Sequence, residues 1–365
     1  MTMRTGRIMR WALLLVVCLP VFLVVCIWID HNLATTLPAP TGPFAVGRVI
    51  DFRTDRPLLV WIWYPAGASS AAPDDYIPQP YRSAIASTRG PVMGNLLTRD
   101  LSKVHGHAVR NAPISPRRKA YPFLILRGGA AAEVVNYSTI AEDLASHGYV
   151  VAGFDAPYRT NVVLFPDGRI ARRTRENNPE MCLSVSGDDR ERCVGKIIDA
   201  WTSDIRFALD RIPTLPKFAG HIDTARVGVF GHSLGGATAL QFCHDDARCK
   251  AGIDIDGSPH GRAVRDGVRQ PFMFLLSDHS GENDADSRKI LADIQSIYDR
   301  LPPGARSYVT IPGANHFFFS DDLALLKSHV VIGILRAIGL LHIDGRRQLA
   351  MTNEYVRTFF DAHLK

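Results

Sequence analysis

The sequence predicts an α/β chain built on a mostly parallel sheet with helices on both faces, and three observations carry that expectation. From about residue 120 onward, short apolar runs rich in β-branched and aromatic residues alternate with longer amphipathic runs, which is the pattern of strand–helix–strand units. The 365 residues are 46% hydrophobic, enough for a large buried core. One strand-like run, Arg226–Phe230, leads directly into Gly231-His232-Ser233-Leu234-Gly235 and then into small helix-forming residues, a strand–turn–helix that fits an open sheet.

The elements follow in order. Trp11–Ile29 is an uncharged run of nineteen residues, preceded by Arg4, Arg7 and Arg10 and followed by Asp30. It is long enough to span a bilayer with its basic side in the cytoplasm. The expectation is an anchor segment over 1–30, with the remaining chain outside the cytoplasm. The alternative is a cleaved signal peptide and a secreted protein, although Asn32-Leu33-Ala34 is a poor cleavage site. Residues 31–43, rich in Pro and Thr, read as a linker, and 44–365 as the globular domain. Strands are expected at Val46–Phe52 and Leu58–Tyr64, then Pro- and Gly-rich loops with short helices around Tyr81–Leu101. Further strands are expected at Phe123–Leu126, Tyr149–Phe154, Arg226–Phe230, Ala251–Ile255, Phe272–Leu276 and Ser307–Ile311. Helices are expected at Tyr137–Ser146, 196–212 and Ala237–Cys243, with more toward the C-terminus. Residues 160–195 break the alternation with a polar segment that follows a strand's carboxyl end, so they read as a cap over a site.

Cys18 and Cys26 lie in the apolar run. The other four cysteines fall into two close pairs, Cys182 with Cys193 and Cys243 with Cys249. Two short-loop disulfides are expected, in keeping with an exported domain. Neither pair has the spacing of a zinc or redox site, so no metal and no organic cofactor is expected. The net charge of +6 is dispersed, and the runs Arg117-Arg118-Lys119 and Arg169–Arg175 carry no interleaved aromatic residues. That argues against a nucleic-acid partner.

Gly-x-Ser-x-Gly between a strand and a helix reads as a nucleophile elbow: the turn strains the Ser233 backbone and lifts its hydroxyl above the sheet, which only very small neighbours permit. Serine is a weak nucleophile and needs a histidine within hydrogen-bond reach, itself oriented by a carboxylate. His316, in Pro312-Gly313-Ala314-Asn315-His316 after a strand, is the candidate base. His329 and His342 fall in helical pattern, and His244, His260 and His279 come too early for the order serine, acid, histidine. Two aspartates end strands downstream of Ser233, Asp256 and Asp278, and periodicity leaves both open as the acid. The N–H of Leu234, opening the helix after the serine, is one expected oxyanion donor. A second should come from the loop after Phe123–Leu126.

Several stretches resemble the platelet-activating-factor acetylhydrolase family of lipoprotein-associated phospholipase A2-like serine esterases. They are Gly42-Pro-Phe-Ala-Val-Gly47, Tyr121-Pro122, Asp143-Leu-Ala-Ser-His-Gly-Tyr149, Gly231-His-Ser-Leu-Gly-Gly-Ala-Thr238, Gly252-Ile-Asp-Ile-Asp256 and Gly313-Ala-Asn-His316. The resemblance covers most of residues 42–362. It implies an α/β-hydrolase fold and a carboxylic ester hydrolase working through an acyl-serine on lipid-like or short-acyl esters. It also implies Asp256, twenty-three residues beyond Ser233, as the acid, with Asp278 the alternative, and Ala130 as the second oxyanion donor. The chain departs from the family at Gly128, where a histidine is usual. A serine peptidase or polyester hydrolase on the same fold, and a catalytically silent hydrolase fold used as a binding module, are the competing expectations.

Overall fold

The computed structural model describes residues 18–53, 55–88, 90 and 96–365. Its centre is a nine-stranded sheet. In chain order the strands are β1 (Ala45–Arg53), β2 (Leu58–Ala66), β3 (Val109–Arg110), β4 (Tyr121–Arg127), β5 (Val150–Asp155), β6 (Ile222–His232), β7 (Cys249–Ile255), β8 (Phe272–Leu276) and β9 (Arg306–Thr310). In space they run β9-β8-β7-β6-β4-β5-β2-β1-β3. Every pairing from β9 across to β5 is parallel, whereas β2 runs antiparallel to both β1 and β5. All the strands expected from the sequence form, with small displacements of their ends.

Alternation along the strands explains why both faces are covered. In β4, Leu124 and Leu126 join one apolar cluster, while Phe123 and Ile125 join the other, as the two-residue period of a strand requires. The helices that supply the covers are α1 (Ser138–Ser146), α2 (Gly187–Arg211), α3 (Leu234–Asp245), α4 (Ala285–Arg300), α5 (His329–Ala337) and α6 (Gly345–Leu364). α1 and α6 close the first face with Ile140, Leu144, Val356 and Phe360. On the opposite face α2, α3 and α4 bring Ile205, Leu209, Leu240, Phe242, Ile294 and Ile297. Each such burial contributes roughly 1.5–3 kcal/mol. The carboxyl ends of β6, β7 and β8 are thereby fixed side by side, which is where an open parallel sheet presents a site.

Residues 18–32 are helical, and Leu19, Val21, Phe22, Trp28 and Ile29 stand exposed along them. The expected membrane-spanning helix is not carried by this segment. Among the described residues no helix is long and apolar enough to cross a membrane, because the described helix holds only the second half of the apolar run. Residues 1–17 lie outside the described residues. The end of this helix is tied to the domain: Arg99 donates to the Asp30 carboxylate at 3.1 Å, and the His329 N–H donates to its other oxygen at 2.6 Å. Residues 31–43, expected as a linker, lie along the domain, with Leu37 buried, its N–H on the His105 carbonyl at 2.9 Å, and Thr41 on Asp143 at 2.8 Å.

The segment read as a cap contains a short hairpin, Val162–Leu164 with Ile170–Arg172, and the 3₁₀ turns Arg175–Asn177 and Pro179–Ser184. It ends inside α2, which starts at Gly187, nine residues before the expected helix start at 196. Both expected disulfides form, Cys182 with Cys193 and Cys243 with Cys249. The first staples the 3₁₀ turn to the opening of α2, and the second closes the turn between α3 and β7.

Candidate active site

Ser233 is the hinge between β6 and α3, with φ 56° and ψ −125°, a left-handed conformation that costs an L-residue strain energy. The glycines around it leave the space. A Cβ on Gly231 would overlap the Gly235 backbone, and one on Gly235 would overlap the carbonyls of Arg127 and Gly128. Strand, turn and helix thus touch backbone to backbone, and the serine has nowhere to go but outward. Leu234 opens α3, whose first N–H groups have no partner within the helix.

His316 stands after β9 on a loop held from two sides. Gln348 of α6, fully buried, accepts from the Asn315 N–H at 2.9 Å and donates to the Asn315 carbonyl at 2.8 Å. Asp278 accepts from the Gly313 N–H at 2.7 Å and from the Ser280 N–H at 3.1 Å. The His316 imidazole donates from Nδ1 to Asp256 Oδ2 at 2.6 Å. That fixes Nε2 as the free nitrogen of the neutral ring.

Asp256 follows the last residue of β7 with φ 54°, and its side chain is 1% exposed. Besides His316 it accepts from the Ser277 N–H at 2.8 Å, the Ser277 hydroxyl at 2.7 Å and His279 Nε2 at 2.9 Å. Burial opposes its ionisation, but hydrogen bonds from His279 and His316 more than offset that and hold it well below the usual carboxylate range. Of the two aspartates left open by the sequence, Asp256 therefore meets the imidazole, and Asp278 meets the backbone three residues before it.

Two contacts escaped the sequence reading. The Tyr137 hydroxyl accepts from the Gly129 N–H at 3.1 Å and donates to His232 Nδ1 at 2.9 Å. The His232 ring lies 4.5 Å from that of His316, and burial, helped by the neighbouring His316, pushes its pKa down to about 3, so it is neutral. Tyr137 thus ties the loop carrying Ala130 to the elbow. A Cβ on Gly128 would come within 3.1 Å of the Tyr137 ring, a tighter approach than ordinary van der Waals contact. No spacing rule signals a bond between residues ninety-five apart.

Ser233, His316, Gly129 and Ala130 line a cavity of about 510 Å³ that continues to Glu133, Asn136, Asn161 and Lys327. Ser233 and Ala130 also line a second hollow of about 300 Å³, whose wall mixes Pro179, Leu183, Val194 and Leu234 with Glu180, Arg190, Ser258 and His260. Ser233 thus sits between a polar arm and a more apolar one. An arrangement of hydroxyl, imidazole and ionised carboxylate beside a helix N-terminus can carry acyl transfer.

The sequence profile of the family described as platelet-activating factor acetylhydrolase, isoform II, matches residues 30–162 and 198–365. The stretch it leaves unmatched nearly coincides with the insertion. A platelet-activating factor acetylhydrolase of Cavia porcellus is 26% identical over 313 residues, covering 79% of this chain and 69% of that protein. A probable 1-alkyl-2-acetylglycerophosphocholine esterase of Arthroderma benhamiae is 25% identical and covers 93% of each. Among solved structures, a ferulic acid esterase from Streptomyces cinnamoneus superposes with a TM-score of 0.69 at 27% identity, over 91% of this chain and 94% of that one.

Proposed function

The chain belongs to the platelet-activating factor acetylhydrolase isoform II family and is a serine carboxylic ester hydrolase; from that premise we propose the roles of its residues. Ser233 attacks the ester carbonyl while His316 Nε2 takes its proton and Asp256 holds the imidazole. The N–H groups of Leu234 and Ala130 receive the oxyanion. His316 then protonates the leaving alcohol, and water releases the acyl group from Ser233 by the same path in reverse. The observation that carries this reading is the 2.6 Å bond between His316 and Asp256 at a cavity lined by Ser233. Labelling with a fluorophosphonate tests it: one site should be modified, and Ser233→Ala should abolish it.

The substrate read from the two arms is a lipid-like ester with a short acyl chain. The apolar patch of Pro179, Leu183, Val194 and Leu234 in the smaller hollow suits a short acyl group, and the polar arm, reaching Asn136, Asn161 and Lys327, suits a polar alcohol moiety. The relatives' names, one of them an acetyl-ester hydrolase, support the same class. Esters of one alcohol with graded acyl length should show kcat/KM falling as the chain outgrows the 300 Å³ arm. A wider arm created by Leu183→Ala should move that fall toward longer chains, and an unchanged profile rejects the assignment.

For location, our reading is an anchored enzyme with the hydrolase domain outside the cytoplasm. It is supported by the two disulfides, by the exposed apolar side chains of residues 18–29 and by the arginines ahead of the run. Protease added outside intact cells or spheroplasts should digest the domain while it remains membrane-bound. Recovery of the enzyme in the soluble fraction would point instead to cleavage and secretion.

A further inference from the structure

Two imidazoles share the Asp256 carboxylate. His316 Nδ1 donates to Oδ2 at 2.6 Å, and His279 Nε2 donates to Oδ1 at 2.9 Å. His279 comes from the loop after β8, and its other nitrogen, Nδ1, donates to Glu282 Oε2 at 2.8 Å. Glu282 in turn accepts from the Ser287 hydroxyl of α4 at 3.0 Å. Both ring nitrogens therefore face carboxylates, and only the doubly protonated imidazolium can donate to both. The electrostatics agree: the hydrogen bond to Asp256 outweighs partial burial, Glu282 adds to it, and the pKa is pushed up to about 9. The charged or titratable groups facing this ring are Asp256 from the end of β7, His316 beyond that carboxylate, and Glu282 and Asp278 from its own loop. Ser277 is its neutral neighbour, and Ser287 reaches it only through Glu282.

His316 lines the cavity with Ser233, whereas His279 lies on the far side of Asp256, against Glu282. It can act on the reaction only through the carboxylate. Resting on the reading of Asp256 as the acid, we propose that His279 is a positioning residue: it clamps Oδ1 so that Oδ2 stays on His316, and its positive charge tempers the carboxylate's pull on the base. The two parts have separate signatures. The clamp keeps the base oriented, so it acts on kcat with little effect on KM. The charge disfavours a second positive charge on His316, so the base stays unprotonated to lower pH than it would beside an uncompensated carboxylate. Removing the cation must therefore move the acid limb of kcat/KM upward in pH, because that limb reports protonation of the base in the free enzyme.

The test measures pH profiles for hydrolysis of p-nitrophenyl acetate by the full chain, its His279→Gln, His279→Ala and Asp256→Asn variants, each with a melting curve. Glutamine keeps a neutral N–H donor for Oδ1, while alanine removes donor and charge together. Both should shift the acid limb up by roughly half to one pH unit. His279→Ala should lose about tenfold or more in kcat, within the range for a misplaced catalytic group, and His279→Gln should recover most of that loss. An acid limb in His279→Gln that superimposes on the unmodified enzyme's, with Asp256→Asn inactive, overturns the proposal and leaves the triad standing. Full activity in Asp256→Asn would overturn the triad reading itself, and the role of His279 with it. Because His279→Gln preserves the donor, its profile decides even if His279→Ala melts early.

Discussion

Asp256 and Asp278 stand at the carboxyl ends of neighbouring strands, β7 and β8, yet they serve different partners. Asp256 is buried, and its oxygens meet two imidazoles and Ser277. Asp278 is partly exposed, and its oxygens meet the N–H groups of Gly313 and Ser280. One carboxylate faces the His316 imidazole itself and the other faces the turn on which that imidazole is mounted. A strand end, then, places an aspartate near the site, but the direction of its lone pairs decides its work. At Asp256 that direction is set by the left-handed backbone just after β7, which only a closely supported residue sustains.

The comparison needs a floor, and Ser233→Ala supplies it. Removing the nucleophile should lower kcat on an activated ester by about 10⁶, with an unchanged melting temperature because no bulk is added. Against that floor, Asp256→Asn should lower kcat by up to roughly 10⁴, since the amide cannot stabilise the imidazolium or fix its tautomer. Steady-state kinetics on both variants checks the ratio, and equal loss from Asp278→Asn would erase the distinction drawn here.

Acid titration sharpens it further. The folded-state pKa of Asp256 is depressed, so its ionised form contributes stability that is complete above the ordinary carboxylate value of about 3.9 and is lost as pH falls through the lower folded value. The stability gap between the unmodified enzyme and Asp256→Asn should accordingly be constant between about pH 4 and pH 6, below the range in which His279 gives up the proton it donates to this carboxylate, and narrow below about pH 4. Urea unfolding across that range would measure it, and a gap that widens on acidification would contradict the burial and hydrogen bonding of this carboxylate.

The elbow could be read from the chain because its glycines are sterically obligatory, and His316 because a strand followed by a glycine turn leaves few places for it to point. Strand positions were legible for the same reason: a buried parallel sheet demands continuous apolar runs. What escaped was written in long-range partnership. The opening of α2 at Gly187 is polar, Gly187-Asp-Asp-Arg-Glu-Arg-Cys193, a solvated helix face with little apolar periodicity. The pairing of Thr35–Thr36 with Val104–His105 joins segments of only two residues. Tyr137 looked like a helix start and proved to be the bridge between the loop carrying Ala130 and His232. Chain order set His279 aside as the base and said nothing of a second imidazole on Asp256.

The smallest effect falls on Asp278. Asparagine there keeps an oxygen that can accept from the Gly313 N–H, so the turn before His316 retains this anchor while losing the charge that strengthens it. Gly313 itself sits at φ 71°, and Gln348 still grips Asn315 from α6, so the imidazole stays within reach of Asp256. The expected outcome is a stability loss of about 0.5–1.5 kcal/mol, the net value of one hydrogen bond, with kcat changed by no more than about threefold, a fraction of a kcal/mol in the barrier. Asp278→Ala, which removes the acceptor altogether, should lose more stability than Asp278→Asn and still retain activity far above Asp256→Asn. Chemical denaturation and kinetics on the two substitutions test this directly. Activity falling in step with stability at 278, but far ahead of it at 256, is what distinguishes holding the loop from orienting the base.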